Sequence, residues 1–113
     1  TMVFDDHTLN LGDDYKCTEN PPIHIYGPKI TIPPEIIDYR YDKRFIVALQ
    51  RLNGIKPERN YYDKYDYDYP SLYGDYYWII DKQEESFYGP LCQQDYINKC
   101  DSLGVSLYIN TNL

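Results

Sequence analysis

Phe45-Ile46-Val47-Ala48-Leu49 is apolar at every position, and so is Tyr76-Tyr77-Trp78-Ile79-Ile80. A strand turns successive side chains to opposite faces, so a run with no polar position needs cover on both sides. β-branched and aromatic residues dominate these runs, and neither reaches the length of about 10–12 residues expected of a helix. They are read as two central strands of a sheet that is covered above and below.

The flanking segments fit around that pair. Ile36 to Tyr41 sets Ile37, Tyr39 and Tyr41 against Asp38 and Arg40, the alternation of a half-buried strand, and Asp42-Lys43 turns it into the first central run. Upstream, Ile23 and Ile25, then Ile30 and Ile32, predict two short strands around Gly27-Pro28. Pro33-Pro34 closes them, which makes them edge elements. Downstream, Asp81 to Ser86 turns the chain into Phe87-Tyr88, a hairpin that Gly89-Pro90 is expected to end.

Leu91 to Leu103 then carries Tyr96, Ile97, Cys100 and Leu103 at helical spacing, with Gly104 placed as a left-handed cap. Val105, Leu107 and Ile109 alternate again and predict a last strand, while residues 1–20, with Asp5, Asp6, Gly12, Asp13 and Asp14, read as a loosely held arm. The expected fold class is α+β, a mainly antiparallel β-sheet with one C-terminal amphipathic helix packed on it. The 113 residues suit a single domain, 1–113, with the arm 1–20 and a long Tyr/Asp-rich loop 56–75.

Composition narrows the function classes. Fifteen tyrosines stand against three phenylalanines and one tryptophan, so tyrosine supplies most of the large apolar area. The net charge of -7 is uneven: residues 61–113 hold nine acids and three bases, whereas residues 1–60 are nearly balanced by Arg40, Lys43, Arg44, Arg51, Lys56 and Arg59. That balance disfavours nucleic acid, whose phosphates are bound through Lys and Arg, and favours a basic protein partner. The basic cluster is diluted by Asp38, Asp42 and Glu58 and reads as a solvated sheet edge. No apolar run approaches the roughly 18 residues of a membrane-spanning helix.

The loop from Tyr61 to Asp75 is the most distinctive segment. Tyr61, Tyr62, Tyr65, Tyr67, Tyr69 and Tyr73 interleave with Asp63, Asp66, Asp68 and Asp75. Tyrosine offers a large rigid surface with a polar tip, the reason binding loops are enriched in it, and the carboxylates would steer a cationic surface. These ten residues are the candidate partner-binding set. The competing reading is an excursion whose tyrosines fold back to cover the sheet while the aspartates keep it soluble.

No signature of catalysis or metal binding stands out. Asp63, Asp66 and Asp68 lack the glycine and the distal bidentate glutamate of an EF-hand loop, so no calcium site is assigned. Cys17, Cys92 and Cys100 could meet His7 or His24 only through tertiary contact, and no zinc-type pair of cysteines exists. Cys92 and Cys100, eight residues apart on the predicted helix, are separated by about 12 Å along its axis, so a disulfide would have to include Cys17. No cofactor, no metal and no enzymatic activity are expected.

From Ile36 onward the order of segments resembles a family of small bacterial lipoproteins of unknown function. The matching residues are Ile36 to Gln50, Tyr77-Trp78-Ile79-Ile80-Asp81-Lys82, Tyr88-Gly89-Pro90-Leu91 and the helix ending at Leu103-Gly104, roughly residues 36–104. The resemblance implies a lipid-anchored protein on the periplasmic or surface side of the bacterial envelope if a native leader was removed from this sequence, with the cytoplasm as the other placement. It carries no catalytic residue to transfer. The functional expectation is a non-catalytic protein–protein interaction module, of the immunity or inhibitor type, that covers a basic partner such as a toxin. The alternative is a lipid-anchored extracytoplasmic protein with a structural or sensing role.

Overall fold

A computed structural model describes residues 8–57 and 67–109. Among the described residues eight strands form two antiparallel four-stranded meanders, and one helix follows them. The first sheet comprises β1 (Thr8–Gly12), β2 (Tyr15–Thr18), β3 (Ile25–Tyr26) and β4 (Thr31–Ile32). The second comprises β5 (Ile36–Tyr41), β6 (Phe45–Asn53), β7 (Tyr73–Asp81) and β8 (Ser86–Leu91), and α1 (Gln93–Leu103) follows it.

The two apolar runs are indeed the central pair. Phe45 to Asn53 of β6 pairs with Tyr73 to Asp81 of β7 without a bulge. Their alternate residues divide the core in two. Ile46, Ala48, Trp78 and Ile80 face Leu11, Cys17, Ile25 and Ile32 of the first sheet. Phe45, Val47, Leu49, Tyr77 and Ile79 face the helix side with Tyr96 and Ile109. Hence the layers run sheet, sheet, helix, and the second sheet is covered on both faces as its sequence demands.

The stretch 1–20, expected as a loosely held arm, is ordered where it is described. Thr8–Gly12 and Tyr15–Thr18 pair as a hairpin through Asp13 and Asp14, both at positive φ (52° and 69°). Asp tolerates that left-handed conformation, which suits a two-residue turn between twisted strands. Leu11, Tyr15 and Cys17 are buried by it, so the apolar alternation runs across the turn instead of along one segment.

Further differences concern boundaries. Gly89-Pro90 does not end the hairpin: β8 continues to Leu91, with a register shift opposite Tyr77 and Ile79. Gly89 is needed there because a Cβ would sit 2.4 Å from Cε3 of Trp78. The tail forms no ladder within 105–109, yet Val105 and Leu107 pack on the helix-side core and Ile109 is fully buried in it. Its alternation therefore encodes burial without strand pairing. Finally, β7 begins at Tyr73, so Tyr73 and Asp75, placed by sequence in the loop 56–75, belong to a strand.

The helix is shorter at its start than expected, with Cys92 as its N-cap, and Gly104 closes it at φ 74°. Tyr96 is its one buried residue and stacks on Tyr77 at 4.6 Å, whereas Ile97 is exposed. Burial pushes the Tyr96 hydroxyl well above the usual phenol range.

Candidate functional site

The site is built around the end of the β6–β7 ladder, where the chain leaves the sheet at Asn53 and rejoins it at Tyr73. Asn53-Gly54 makes the exit turn, with Gly54 at φ 88°. The Gly54 N–H donates to the Leu72 carbonyl at 2.7 Å, which ties the two ends of the excursion together. The Tyr73 ring then lies over Gly54, so close that a Cβ there would be 2.7 Å from its hydroxyl. The positive φ favours glycine at this position, while the exposed Tyr73 ring could swing aside from a side chain there.

Ser71 fixes the returning strand. Its hydroxyl donates to the Tyr73 carbonyl at 2.9 Å and accepts the Tyr73 N–H at 3.0 Å. The Ser71 N–H donates to the Tyr76 hydroxyl at 2.9 Å, and that hydroxyl donates to the Ser71 carbonyl at 2.6 Å. Four hydrogen bonds within six residues hold this corner in one shape.

The candidate tyrosines split. Tyr67 turns inward, edge-on to Trp78 at 4.9 Å and to Phe87 at 6.3 Å. Tyr69 also turns inward, edge-on to Tyr76 at 5.1 Å, and its hydroxyl meets the side chain of Gln50. Both pack against the core between the two sheets. Tyr73 stays outside, 72% exposed. Asp68 is exposed between the two inward tyrosines, and the Asp75 carboxylate is held by Arg51 through two hydrogen bonds of 2.7 and 2.9 Å. Tyr61, Tyr62, Asp63, Tyr65 and Asp66 lie outside the described residues. The corner from Ser71 to Tyr76 is the platform at which that run rejoins the sheet.

Two residues that the sequence reading passed over complete the platform. Ile55, immediately after the exit turn, is 80% exposed, and Leu72, immediately before the return, is 36% exposed. With Tyr73 they flank the Gly54–Leu72 closure, three exposed apolar side chains at one end of the ladder. The available signal was position: each is an apolar residue in a turn whose neighbours have no reason to bury it.

Chemistry elsewhere is sparse. Cys17, Cys92 and Cys100 are free thiols, so no disulfide joins them. Burial pushes the Cys17 thiol up, and its side-chain partner is the Tyr39 hydroxyl, with the thiol also donating to the Thr18 carbonyl at 3.4 Å. His24 Nδ1 lies 3.1 Å from the Pro22 carbonyl and its ring 5.7 Å from Tyr26. A thiolate–imidazole pair is thus not formed by Cys17 and His24. Among the described residues no cluster of three or more His, Cys, Asp or Glu could hold a metal ion. His7 and the set Asp63 and Asp66 lie outside those residues. No described helix is long and apolar enough to cross a membrane.

The buried charges have structural partners. Asp81, almost wholly buried, accepts from Arg44 Nε and Nη2 at 3.0 and 2.9 Å and from the N–H groups of Gln83 and Glu84 at 3.2 Å. Lys82, 6% exposed, donates to the carbonyls of Leu11 at 2.7 Å and Asp42 at 2.6 Å, and so ties the first sheet to the second.

A family model described as a protein of unknown function, DUF3997, matches residues 14–111. Among curated proteins and solved structures nothing matches the chain.

Proposed function

This chain belongs to the DUF3997 family of proteins of unknown function, and we propose that it is a non-catalytic binding module whose contact surface is the β6–β7 end and the tyrosine–aspartate run it carries. The observation behind this reading is that Ile55, Leu72 and Tyr73 are all exposed around one closure, beside a corner that Ser71, Gly54 and Tyr76 hold through hydrogen bonds. Apolar and aromatic side chains held in one place without a core to bury them are what a protein interface uses as anchors. Preorganisation adds to this, since a fixed corner loses little freedom on association.

The partner class follows from charge. Residues 61–113 hold nine acids against three bases, and the acids of the run sit beside Leu72 and Tyr73 in sequence. A basic protein surface is the complement, approached by long-range attraction and held by the aromatic contacts. An inhibitor or immunity protein that masks a basic enzyme such as a toxin has these properties. The resemblance of residues 36–104 to small bacterial lipoproteins supports a second reading, an envelope protein held by a lipid, for which radiolabelled fatty acid incorporation into the native gene product is the test.

The binding proposal is tested by calorimetric titration against small basic proteins, beginning with the product of the adjoining gene. Binding that weakens with added salt is expected, and Ile55→Ser with Tyr73→Ala should weaken it at least about tenfold. Unchanged affinity in that double variant, or no binding to any basic protein tried, overturns the reading.

A further inference from the structure

β5 is an edge of the second sheet: β6 pairs with one side of it, and among the described residues no strand pairs with the other. In an antiparallel pair the backbone groups of alternate residues point toward and away from the neighbouring strand. The Asp42 N–H donates to the Phe45 carbonyl across the β5–β6 turn at 3.0 Å, so Arg40 and Asp38 direct their backbone groups at β6 and Tyr39 directs its own outward. Side chains of the same strand occupy those outward groups. The Tyr39 N–H donates to Asp38 Oδ1 at 2.9 Å, and the Tyr39 carbonyl accepts from Arg40 Nη1 at 2.7 Å. The Arg40 guanidinium also donates to the Asp38 carboxylate, which closes a clasp over the edge.

The clasp borders an open groove of about 590 Å³ between β5 and a wall made by Leu9, Thr18, Glu19 and Ile23. Ile37 and Tyr41, at the two ends of the clasped segment, are exposed at 36% and 42%. The segment Ile37-Asp38-Tyr39-Arg40-Tyr41 is therefore an edge with apolar ends, opposite charges inside them and a tyrosine at the centre.

We propose that this edge pairs with the same edge of a second copy, antiparallel and centred on Tyr39, to give a two-fold dimer through a continuous eight-stranded sheet. The register is dictated by the outward backbone groups. Tyr39 of each copy donates its N–H to the Tyr39 carbonyl of the other. This places Asp38 opposite Arg40 of the second copy, twice; Ile37, at the register shift between Ile36 and Asp38, and the Ile36 N–H, which donates to the Ile23 carbonyl at 2.9 Å, mark where the paired segment ends. An isologous interface needs a self-complementary patch, and Asp38, Tyr39 and Arg40 are one. Asp38 and Arg40 exchange their contacts along the strand for contacts across it, and the clasp that they give up offsets part of the gain and keeps the association weak. A free edge left unguarded would pair indiscriminately, which the clasp prevents.

The test uses the intact chain and two single variants, Asp38→Arg and Arg40→Asp. Sedimentation equilibrium from about 1 μM to about 1 mM should show wild type passing from monomer to dimer. Either variant puts like charges opposite each other at two places and should weaken the dimer at least about tenfold. An equimolar mixture of the two variants should form a heterodimer, because each arginine then faces an aspartate. Circular dichroism and Trp78 emission check the fold of each variant, and concentration-dependent slowing of hydrogen exchange at the Tyr39 amide reads the interface in unmodified protein. Wild type that stays monomeric throughout, a dimer indifferent to both substitutions, or a Tyr39 amide whose exchange ignores concentration overturns the proposal.

Discussion

Gln50 Oε1 accepts the indole N–H of Trp78 at 2.8 Å, and neither side chain is reached by solvent. The same amide donates through Nε2 to the Tyr69 hydroxyl at 3.0 Å and to the Pro34 carbonyl at 3.2 Å. A polar residue at the centre of an apolar strand thereby joins three separate parts of the chain: the linker between the sheets, the central strand β7 and the returning loop. All its hydrogen-bonding groups are satisfied, the condition under which a buried amide is tolerated.

Replacing Gln50 by Leu keeps the size and strands the buried indole N–H. The expected cost is about 1–3 kcal/mol in urea unfolding, the penalty for a buried donor left without an acceptor. Trp78 is the chain's one tryptophan, so its fluorescence follows both the transition and the local change. In a cycle with Trp78→Phe, followed by far-ultraviolet circular dichroism because that variant has no tryptophan, the double variant should be less destabilised than the sum of the singles. Additive costs would show that the two side chains act independently.

Gly89→Ala tests a different constraint, volume rather than polarity. The added methyl carbon would meet Trp78 at 2.4 Å, inside van der Waals contact, on a ring that Gln50 and Tyr67 already fix from other sides. Overpacking of this kind costs about 1–3 kcal/mol or more. Loss of stability together with a changed near-ultraviolet circular dichroism band of Trp78 is expected, and wild-type values for both would refute the packing described above.

The pH dependence should have an acid limb set in part by Asp81. The Arg44 guanidinium, with the Glu84 and Gln83 N–H groups, holds its carboxyl below the usual carboxylate range, against the opposing effect of burial. A depressed folded value contributes stability that is present above the unfolded value, about 3.9, and is lost as pH falls through the folded one. Urea midpoints measured from pH 7 down to pH 2 should therefore decline more steeply for wild type than for Asp81→Asn, which is weaker at pH 7 and flatter below pH 4. At the other extreme, burial pushes the Tyr39 hydroxyl up to about 12, so its contribution is complete below about 10 and disappears between those values. Parallel acid profiles would mean that the Arg44–Asp81 pair carries no linked stability.

What was legible in the sequence depended on distance along the chain. The β6–β7 pair, the hairpin into β8 and the helix with its Gly104 cap are encoded by local periodicity, and each is present, with its ends shifted: β7 begins at Tyr73, β8 runs to Leu91 and the helix begins at Gln93. Leu11, Tyr15 and Cys17 were harder to read, since their alternation is interrupted by a two-residue aspartate turn and needs the second sheet as its partner. Gln50 follows the apolar run Phe45 to Leu49 with nothing local to mark it, and only the return of Tyr69 from nineteen positions away makes it a junction. For the candidate site, the composition of the tyrosine run was obvious, but which rings face in cannot follow from a run in which every other residue is tyrosine. Tyr67 and Tyr69 differ from Tyr73 through what the sheet offers them.

That difference yields a prediction about the loop itself. Tyr67 lies against Trp78 and Phe87, so Tyr67→Ala removes aromatic contacts that seal the space between the sheets, and should cost about 1–3 kcal/mol. Tyr69→Phe keeps the ring on Tyr76 but removes the hydroxyl from Gln50, with an expected cost of about 1 kcal/mol. Tyr73, mostly in solvent, should tolerate alanine within about 0.5 kcal/mol. The same three variants reverse their order in binding to a basic partner: Tyr73→Ala loses affinity, whereas Tyr69→Phe keeps it as long as the fold persists. Thermal unfolding and titration on one set of samples separate the two orders. A Tyr73→Ala protein that unfolds as easily as Tyr67→Ala would return this ring to the core, and with it the ground for placing the contact surface at the β6–β7 end.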